Sequence, residues 1–398
     1  MSTRHGMNGD GAHRPAPPND MNETSICSFL DHWGPSHVLQ VYDPRMDMQG
    51  LLIVDNTSLG PGLGGIMISH AFTPREMHER ARAKTWTCAL LDIGFGGAAA
   101  GIRADPSAAN KADLVRSFAR MIAFSVPWLY IATPDLNAGQ AEMATFADEV
   151  GDWQGATGKP ERMQGIPHEL GVVSFGIGVA IESCLSVADP RMHLPGTLAE
   201  AKVAIQGHGD VGITLAKYLA HKGASLVAIC DEDRTIHDPQ GIDVESIPRD
   251  PSGHVEGRIP GRDEGARVLP VEDISKVECD LLVCTTDRLT LSEDTIKYVQ
   301  ARCIVEGAPV RLSPTTQRYL HKHGVLVLPD LVVAAGGTIS SFAEYQGIST
   351  ERAFSMIESR IGNTTSTLIQ GALQRDEPVR KLAEETAKER LAKAMEAR

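Results

Sequence analysis

Apolar and polar positions follow strand and helix periods through the first half of the chain. Residues 36–55 read as two strands around a polar turn at Asp43–Gln49. Thr73 and Glu76 have the spacing of a capping box, which predicts a helix that runs to about Leu91. Further helices are predicted at 112–125, 139–150 and 171–187, with a strand at 127–135.

From residue 200 onward the second half of the chain alternates short apolar runs with helical segments, one of them predicted between DLLVC and RCIVEG. Residues 232–268 are interpreted as an irregular segment. Strands separated by helices predict a parallel, doubly wound sheet. The Gly/Pro-rich segment 151–165 is interpreted as an inter-domain region, and its Lys159 as a loop charge. FGGAAAG at 95–101 is interpreted as a loop, because its side chains are too small to pack a core. Residues 350–398 are predicted to be helical and highly charged.

Composition narrows the class of protein. A length of 398 residues predicts two or three domains, and a net charge of −13 disfavours binding to nucleic acid or anionic membranes. No window approaches the roughly 18 apolar residues of a membrane span. The polar residues 1–22 are interpreted as a disordered tail. The seven cysteines are scattered without CxxC spacing, which argues against a metal site and favours reduced thiols in the cytoplasm.

A dinucleotide-binding motif lies where the second half begins. The strand AKVAIQ leads into the GxGxxG turn Gly207–Gly212, and a helix and a second strand follow before Asp231. An acid at that position binds the ribose 2′-hydroxyl, so Asp231 favours NAD over NADP, although Arg234 lies close by. The predicted cofactor-binding residues are Gly207, His208, Gly209, Asp210, Val211, Gly212, Asp231, Thr285 and Thr286.

Several motifs occur together in one order. They are LGPGLGG (59–65), TWTCALLDIGFGGAAAG (85–101), TPDLNAGQAEM (133–143), TGKP (157–160), GHGDVG (207–212), IVEGA (304–308) and VLPDLVVAAGGTISSF (327–342). On these motifs the chain resembles the glutamate/leucine/phenylalanine/valine dehydrogenase family over roughly residues 28–345.

The resemblance implies a two-domain α/β enzyme with a cleft between its domains. The N-terminal α/β domain would bind substrate and support oligomerisation, and the C-terminal domain would be a Rossmann-like doubly wound parallel sheet that binds NAD. In the family, the nicotinamide interconverts an amino acid with a 2-oxo acid and ammonia, and a homo-oligomer is expected. The predicted segments are the tail 1–22, the substrate domain 23–165, the NAD domain 166–345 and C-terminal helices at 346–398 that pack back on the first domain.

This chain departs from the family at its charged site residues. Thr87 stands where the family has a lysine that holds the substrate carboxylate, and Ala99 replaces the catalytic lysine of the GGxK loop. Met67 replaces a further basic residue. Pro309 and Ala334 stand where cofactor-facing asparagines are common. Alanine has no proton to exchange, so these departures predict that the chain does not carry out the usual oxidative deamination.

Other site residues of the family are retained. Asp135 matches the proton-transfer aspartate and is the predicted catalytic residue, while Ser341 matches a substrate-side serine. The predicted substrate-binding residues are Gly65, Thr87, Ala99 and Ser341, and no metal site is predicted.

Three functions remain open. The first is an NAD-dependent oxidoreductase with altered chemistry, acting on a small molecule, with Thr87, Thr338 and Ser341 as neutral donors. The less cationic site suits a substrate without an α-carboxylate, or a carbonyl, alcohol or imine that needs no water activation. The second is a catalytically inactive, NAD-binding regulatory or structural subunit. The third is an amino-acid dehydrogenase that has recruited Lys84 or a histidine. For His70, His168 and His208, structural or solvent-facing roles are favoured.

Overall fold

The computed structural model describes residues 29–187, 189, 192–247, 266–286, 291, 293–308 and 312–397. The predicted tail and Pro309 lie outside the described residues. Two β-sheets organise the chain, one of five strands and one of seven. Within the described ranges, no helix is both long and apolar enough to cross a membrane.

The five-stranded sheet forms the first half of the molecule. Its strands are β1 (His37–Asp43), β2 (Met48–Asn56), β3 (Gly62–Ser69), β4 (Gly96–Arg103) and β5 (Tyr130–Pro134), in the order β1-β2-β4-β3-β5. Its helices are α1 (Pro74–Leu90), α2 (Lys111–Ile122) and α3 (Gln140–Val150). The pairs β1–β2 and β2–β4 are antiparallel, whereas β3 runs parallel to β4 and β5. Each predicted strand and helix in this half is present within a few residues of its expected bounds.

The interpretation of residues 95–101 as a loop was wrong. Most of the segment belongs to β4, which lies inside the sheet and is buried almost throughout. The small side chains let helix α1 approach the sheet, because a Cβ added at Gly97 would lie 2.3 Å from the backbone nitrogen of Thr85. A run of glycine and alanine therefore marks a close helix–strand contact here.

The seven-stranded sheet forms the second half. Its strands are β6 (Lys202–Gln206), β7 (Ser225–Cys230), β8 (Arg234–His237), β9 (Arg267–Pro270), β10 (Leu281–Cys284), β11 (Cys303–Glu306) and β12 (Leu326–Leu328), in the order β12-β11-β10-β6-β7-β8-β9. Its helices are α4 (Val172–Val187), α5 (Asp210–His221), α6 (Pro314–Lys322), α7 (Asp330–Val333) and α8 (Gly336–Tyr345).

Strands β12 to β7 are parallel, as expected for a Rossmann-like domain. Strands β8 and β9 extend the sheet antiparallel and fall in a segment that sequence interpretation left irregular. A helix was expected between β10 and β11; the described residues there contain only a short 3-10 turn at Ile296–Tyr298.

Two long helices complete the chain, α9 (Thr350–Arg375) and α10 (Val379–Glu396). Helix α9 packs against α4, and α10 packs against α1 of the first half. Arg390 on α10 donates a 2.5 Å hydrogen bond to the carbonyl of Leu90, and Arg360 on α9 donates one of 2.7 Å to the carbonyl of Leu91. The C-terminal helices therefore tie the nucleotide half to the end of α1.

Candidate active site

Helix α1 presents three polar side chains along one face. The helix begins where Thr73 accepts a hydrogen bond of 3.1 Å from the backbone N–H of Glu76, as the capping pattern predicts. Arg80, Lys84 and Thr87 follow at spacings of four and three residues, which places them on one side of the helix. This face looks toward β5 and toward α8 of the second half, as the contacts below show.

Asp135 lies at the end of β5, where the chain turns. Its Oδ1 accepts a 2.7 Å hydrogen bond from the backbone N–H of Leu136. A Cβ added at Gly65 would lie 2.5 Å from the Asp135 Cβ, so the absence of a side chain at Gly65 makes room for this carboxylate. Arg80 Nη1 lies 3.8 Å from Asp135 Oδ1. A fixed cation therefore stands beside the predicted catalytic residue.

On the sheet, the positions where the family has basic residues hold apolar side chains and have apolar neighbours. Ala99 on β4 and Met67 on β3 are only 2% and 1% exposed. Both belong to a compact apolar cluster that also contains Phe72, Met77 and Ala81. Thr87 is buried on α1. The sheet surface beneath α1 is therefore dry at both replaced positions on the sheet.

Lys84 reaches across the two halves of the molecule. Its Nζ donates a 2.8 Å hydrogen bond to Oγ1 of Thr338, a buried residue of α8. Ser341 lies one turn further along α8, is also buried, and its hydroxyl has no hydrogen-bond partner among the described residues. Lys84 thus meets the helix that carries the predicted substrate-side serine.

His168 packs against the beginning of α8. A Cβ added at Gly337 would lie 2.8 Å from the imidazole Cε1 of His168. Burial, together with the charge of Lys84, lowers the pKa of His168 to about 4. The imidazole is therefore neutral near pH 7, and its buried Nε2 has no hydrogen-bond partner among the described residues. His70, in contrast, is exposed and lies 3.9 Å from Asp105.

The glycine-rich turn after β6 has the backbone geometry that a dinucleotide requires. Gly207 adopts φ of 114°, a conformation that side chains disfavour. A Cβ at Gly212 would lie 2.1 Å from the Gly207 carbonyl oxygen, whereas one at Gly209 would meet nothing within 4 Å. The turn is therefore packed tightly at both ends and open at Gly209, where the N-terminus of α5 begins.

Neighbouring residues support the turn. The Thr285 hydroxyl donates to the carbonyl of Gln206 at 3.1 Å. The Val211 carbonyl accepts a 2.9 Å hydrogen bond from Ser174 on α4. Asp210 is the first residue of α5, and Thr286 lies beside Gly207. These contacts bring the predicted cofactor residues 207–212, 285 and 286 together at one end of the parallel strands.

Asp231 lies directly after β7 and is 8% exposed. Its Oδ1 accepts hydrogen bonds of 2.9 and 2.8 Å from the backbone N–H groups of Asp233 and Arg234. Burial raises the pKa of this carboxyl, but these hydrogen bonds and the charges of Arg234 and His208 outweigh it and hold the pKa below its usual value. Oδ2 is buried, lies 3.5 Å from Arg234 Nε and has no hydrogen-bond partner among the described residues. A ribose hydroxyl fits that unmet acceptor.

Lys159 is not the loop charge that was expected. The side chain is 2% exposed, lies 2.6 Å from Glu344 on α8 and donates to the carbonyl of Ala156. Glu344 also accepts hydrogen bonds of 2.7 Å from the backbone N–H groups of Gly158 and Ile166. A buried ion pair therefore fastens the inter-domain segment to α8.

Sequence reasoning did not single out Arg80 or Glu344. The spacing of Arg80, Lys84 and Thr87 on α1 is a local signal that could have identified Arg80. Nothing local pointed to Glu344, whose partner Lys159 is 185 residues away.

Comparisons with known proteins identify the family. A model of the Glutamate/Leucine/Phenylalanine/Valine dehydrogenase family matches residues 165–398, and the model of the Glu/Leu/Phe/Val dehydrogenase dimerisation domain matches residues 35–152. The NADP-specific glutamate dehydrogenase of Saccharolobus shibatae is 29% identical over 361 residues, covering 86% of this chain and 83% of that protein. The NAD-specific glutamate dehydrogenase of Staphylococcus aureus is 29% identical, covering 78% and 77%.

Among solved structures, the leucine-bound hetero-hexameric glutamate dehydrogenase of Thermus thermophilus superimposes with a TM-score of 0.80 at 28% identity, covering 90% of this chain and 89% of that one. The two family models together account for nearly all of the described residues. The chain therefore belongs to the glutamate/leucine/phenylalanine/valine dehydrogenase family of NAD(P)-dependent oxidoreductases.

Proposed function

We propose that this chain is an NAD-dependent oxidoreductase that acts on a small molecule without the usual lysine-assisted oxidative deamination. The observation that carries the proposal is the dry apolar cluster around Ala99 and Met67, in a chain whose nucleotide turn has the required backbone geometry. Water activation needs a group that exchanges protons, and neither side chain can do so. Redox chemistry at a carbonyl, alcohol or imine does not need that step.

In this proposal Asp135 is the acid–base residue. Arg80 stands beside it, but a guanidinium keeps its protons at ordinary pH, so it can stabilise charge and cannot replace a proton-exchanging lysine. Gly65, Thr87, Ala99 and Ser341 line the substrate side. When bound, the nicotinamide supplies the hydride acceptor or donor. Asp135 then moves the single proton that the substrate gains or loses.

The cofactor is proposed to be NAD. Oδ2 of Asp231, which has no hydrogen-bond partner among the described residues, supports this choice, since a carboxylate binds a ribose hydroxyl and repels a 2′-phosphate. We expect calorimetric titration to give tighter binding of NAD than of NADP. Asp231→Ala should weaken NAD binding by roughly 1–3 kcal/mol, the scale of one hydrogen bond to a charged group. Equal or tighter binding of NADP by the unmodified protein would contradict the assignment.

The chemistry is tested by following cofactor reduction and oxidation with amino acids, amines, alcohols, aldehydes and imines. We expect little or no turnover with glutamate or leucine. Rates of order 10 s⁻¹ with either amino acid would show that another group has taken over the role of the lysine. The matched gain-of-function variant carries Thr87→Lys and Ala99→Lys together. Deamination gained by this variant and by neither single change would support the proposal.

The main alternative is a catalytically inactive, NAD-binding subunit. The Thermus thermophilus glutamate dehydrogenase is a hetero-hexamer, which supports this alternative. The Lys84–Thr338 hydrogen bond, which spans the site, supports it as well. NAD binding without turnover of any compound in the screen would favour this alternative. The third possibility, amino-acid dehydrogenation with a recruited Lys84, predicts instead that turnover of an amino acid is lost in Lys84→Met.

The assembly is proposed to be a homo-oligomer in the cytoplasm. The match of residues 35–152 to a dimerisation domain supports self-association. The six described cysteines are free and buried, which supports a reducing compartment. Mass photometry of the purified chain distinguishes a homo-oligomer from a monomer that requires a second type of subunit.

A further inference from the structure

Three charged side chains meet in the interior where α10 passes the end of the nucleotide sheet. Glu306 ends β11, Asp330 begins α7 and Arg380 lies in the first turn of α10. The Arg380 guanidinium lies 2.5 Å from Glu306 Oε2 and also pairs with Asp330. None of the three residues is more than 8% exposed. Two carboxylates therefore share one cation away from solvent, which leaves one negative charge without a counter-charge among these three side chains.

The neighbouring groups of the described chain do not supply the missing positive charge. On α10, Glu384 lies 3.9 Å from Arg380, and its own cation is Lys388 at 3.7 Å, near the surface. On β10, burial and the charge of Glu306 raise the pKa of the Cys284 thiol, so the thiol stays neutral. Buried charges in proteins are paired or become neutral. A proton bound to one of the two carboxylates would balance this cluster.

The surroundings of Glu306 favour its protonated form. Burial raises the pKa of Glu306, the charge of Arg380 lowers it, and the charge of Asp330 raises it again, so that the pKa rises from 4.5 to about 7. Oε2 accepts hydrogen bonds from Arg380 and, at 3.3 Å, from the backbone N–H of Asp330. Oε1 is buried and has no hydrogen-bond partner among the described residues. Oε1 is therefore the oxygen that remains for a proton.

We propose that Glu306 carries one dissociable proton on Oε1, and that release of this proton to water weakens the attachment of α10 to β11 and α7. With the proton bound, Arg380 and Asp330 form a balanced ion pair. Without it, two buried carboxylates repel each other beside one guanidinium. Because α10 also packs against α1, the proton acts on a helix that joins the two halves of the molecule. This switch requires no assumption about the substrate.

Hydrogen exchange of the α10 backbone amides at pH 6 and pH 8 tests the proposal on the full chain. Protection factors, corrected for the intrinsic pH dependence of exchange, measure how often α10 opens. A Glu306 pKa of about 7 with α10 attached, and of 4.5 once α10 is released, makes protection fall about tenfold between the two pH values.

Two variants assign the effect to Glu306. Glu306→Gln is neutral at both pH values and keeps an acceptor for Arg380, so its α10 protection should not change with pH and should exceed that of the unmodified protein at pH 8. Glu384→Gln is the matched control, because Glu384 is 37% exposed and lies 3.9 Å from the same arginine. This control should retain the tenfold fall.

Infrared spectroscopy of the unmodified protein locates the proton even if Glu306→Gln does not fold. A protonated carboxyl group has a carbonyl stretching band that a carboxylate lacks, so this band should be present at pH 6 and lost at pH 8. Labelling with 13C-glutamate should shift the band, and labelling with 13C-aspartate should not. Absence of the band, a shift with aspartate alone, equal α10 protection at both pH values, or an undiminished fall in folded Glu306→Gln would each overturn the proposal.

Discussion

At the scale of single residues, the carboxylate of Asp135, which we propose as the proton-transfer group, has an arginine as its neighbouring cation. Arg80 approaches Asp135 from α1, whereas the family's catalytic lysine position is the buried Ala99 on β4. Sequence comparison identified the two substitutions and Asp135, because those positions lie inside contiguous motifs. It did not identify the Arg80 contact, because that contact depends on how α1 lies over β5.

Asp135→Asn should separate proton transfer from cofactor binding. Asparagine preserves the shape of the side chain and an acceptor for the Leu136 N–H, but it cannot accept the substrate proton. With the substrate identified by the screen, turnover should fall by roughly 100-fold or more. Calorimetric NAD affinity should stay unchanged, since the nucleotide turn is in the other half of the molecule. Undiminished turnover would assign the proton transfer to Lys84 or another group.

The neutral state of His168 predicts a pH-dependent stability. Burial and the charge of Lys84 lower its pKa from 6.5 to about 4, so the folded protein binds this proton less readily than the unfolded chain does. The resulting stability is complete above pH 6.5 and is lost as the pH falls toward 4. We expect the loss to approach about 3 kcal/mol.

Urea unfolding of the unmodified protein and of a His168 variant, each at pH 7 and at pH 4.5, measures this contribution to the free energy of unfolding. His168→Gln is the comparison, because glutamine is polar and does not titrate. The unmodified protein should lose more of its free energy of unfolding between the two pH values than His168→Gln does. Parallel losses in both proteins would show that His168 becomes protonated without cost.

At the scale of elements, β4 shows why residue size misled the interpretation of the sequence. The strand has the composition of a flexible loop, yet it pairs with β2 and β3 and is covered by α1. The small residues are required by an approach between helix and sheet that involves α1, a separate segment of the chain. The N-cap of α1 was predictable because Thr73 and Glu76 are neighbours in sequence.

Gly97→Ala tests this explanation. The added Cβ would lie 2.3 Å from the Ala81 carbonyl oxygen and from the Thr85 nitrogen, which are backbone atoms of a helix and cannot turn aside. We expect a loss of about 3 kcal/mol in the free energy of unfolding, at the upper end for overpacking. Gly94→Ala is the control, since its Cβ would have no neighbour nearer than 3.9 Å and should change stability by less than about 0.5 kcal/mol. Equal stability of the two variants would contradict the close-packing argument.

At the scale of the whole molecule, the two halves meet through polar and aromatic contacts around α8. Lys84 bonds to Thr338, Lys159 pairs with Glu344, and the Phe95 ring packs edge-on against Phe342 at 5.8 Å between centroids. The order of the halves and the nucleotide motif were predictable, because each is encoded within a short segment. These three contacts around α8 were not, since each joins residues far apart in sequence.

The Lys159–Glu344 pair should be the most costly of these contacts to break. Lys159→Met leaves the Glu344 carboxylate buried with two backbone N–H donors and no cation, so we expect a loss of about 3–5 kcal/mol in the free energy of unfolding. Adding Glu344→Gln removes that buried charge and keeps an acceptor for the N–H groups. The double variant should therefore be more stable than Lys159→Met alone. Urea denaturation measures the free energy of unfolding of the single and the double variant, with Lys322→Met as the exposed control. Additive losses would contradict this expectation, because they would mean that Lys159 and Glu344 stabilise the protein independently of each other.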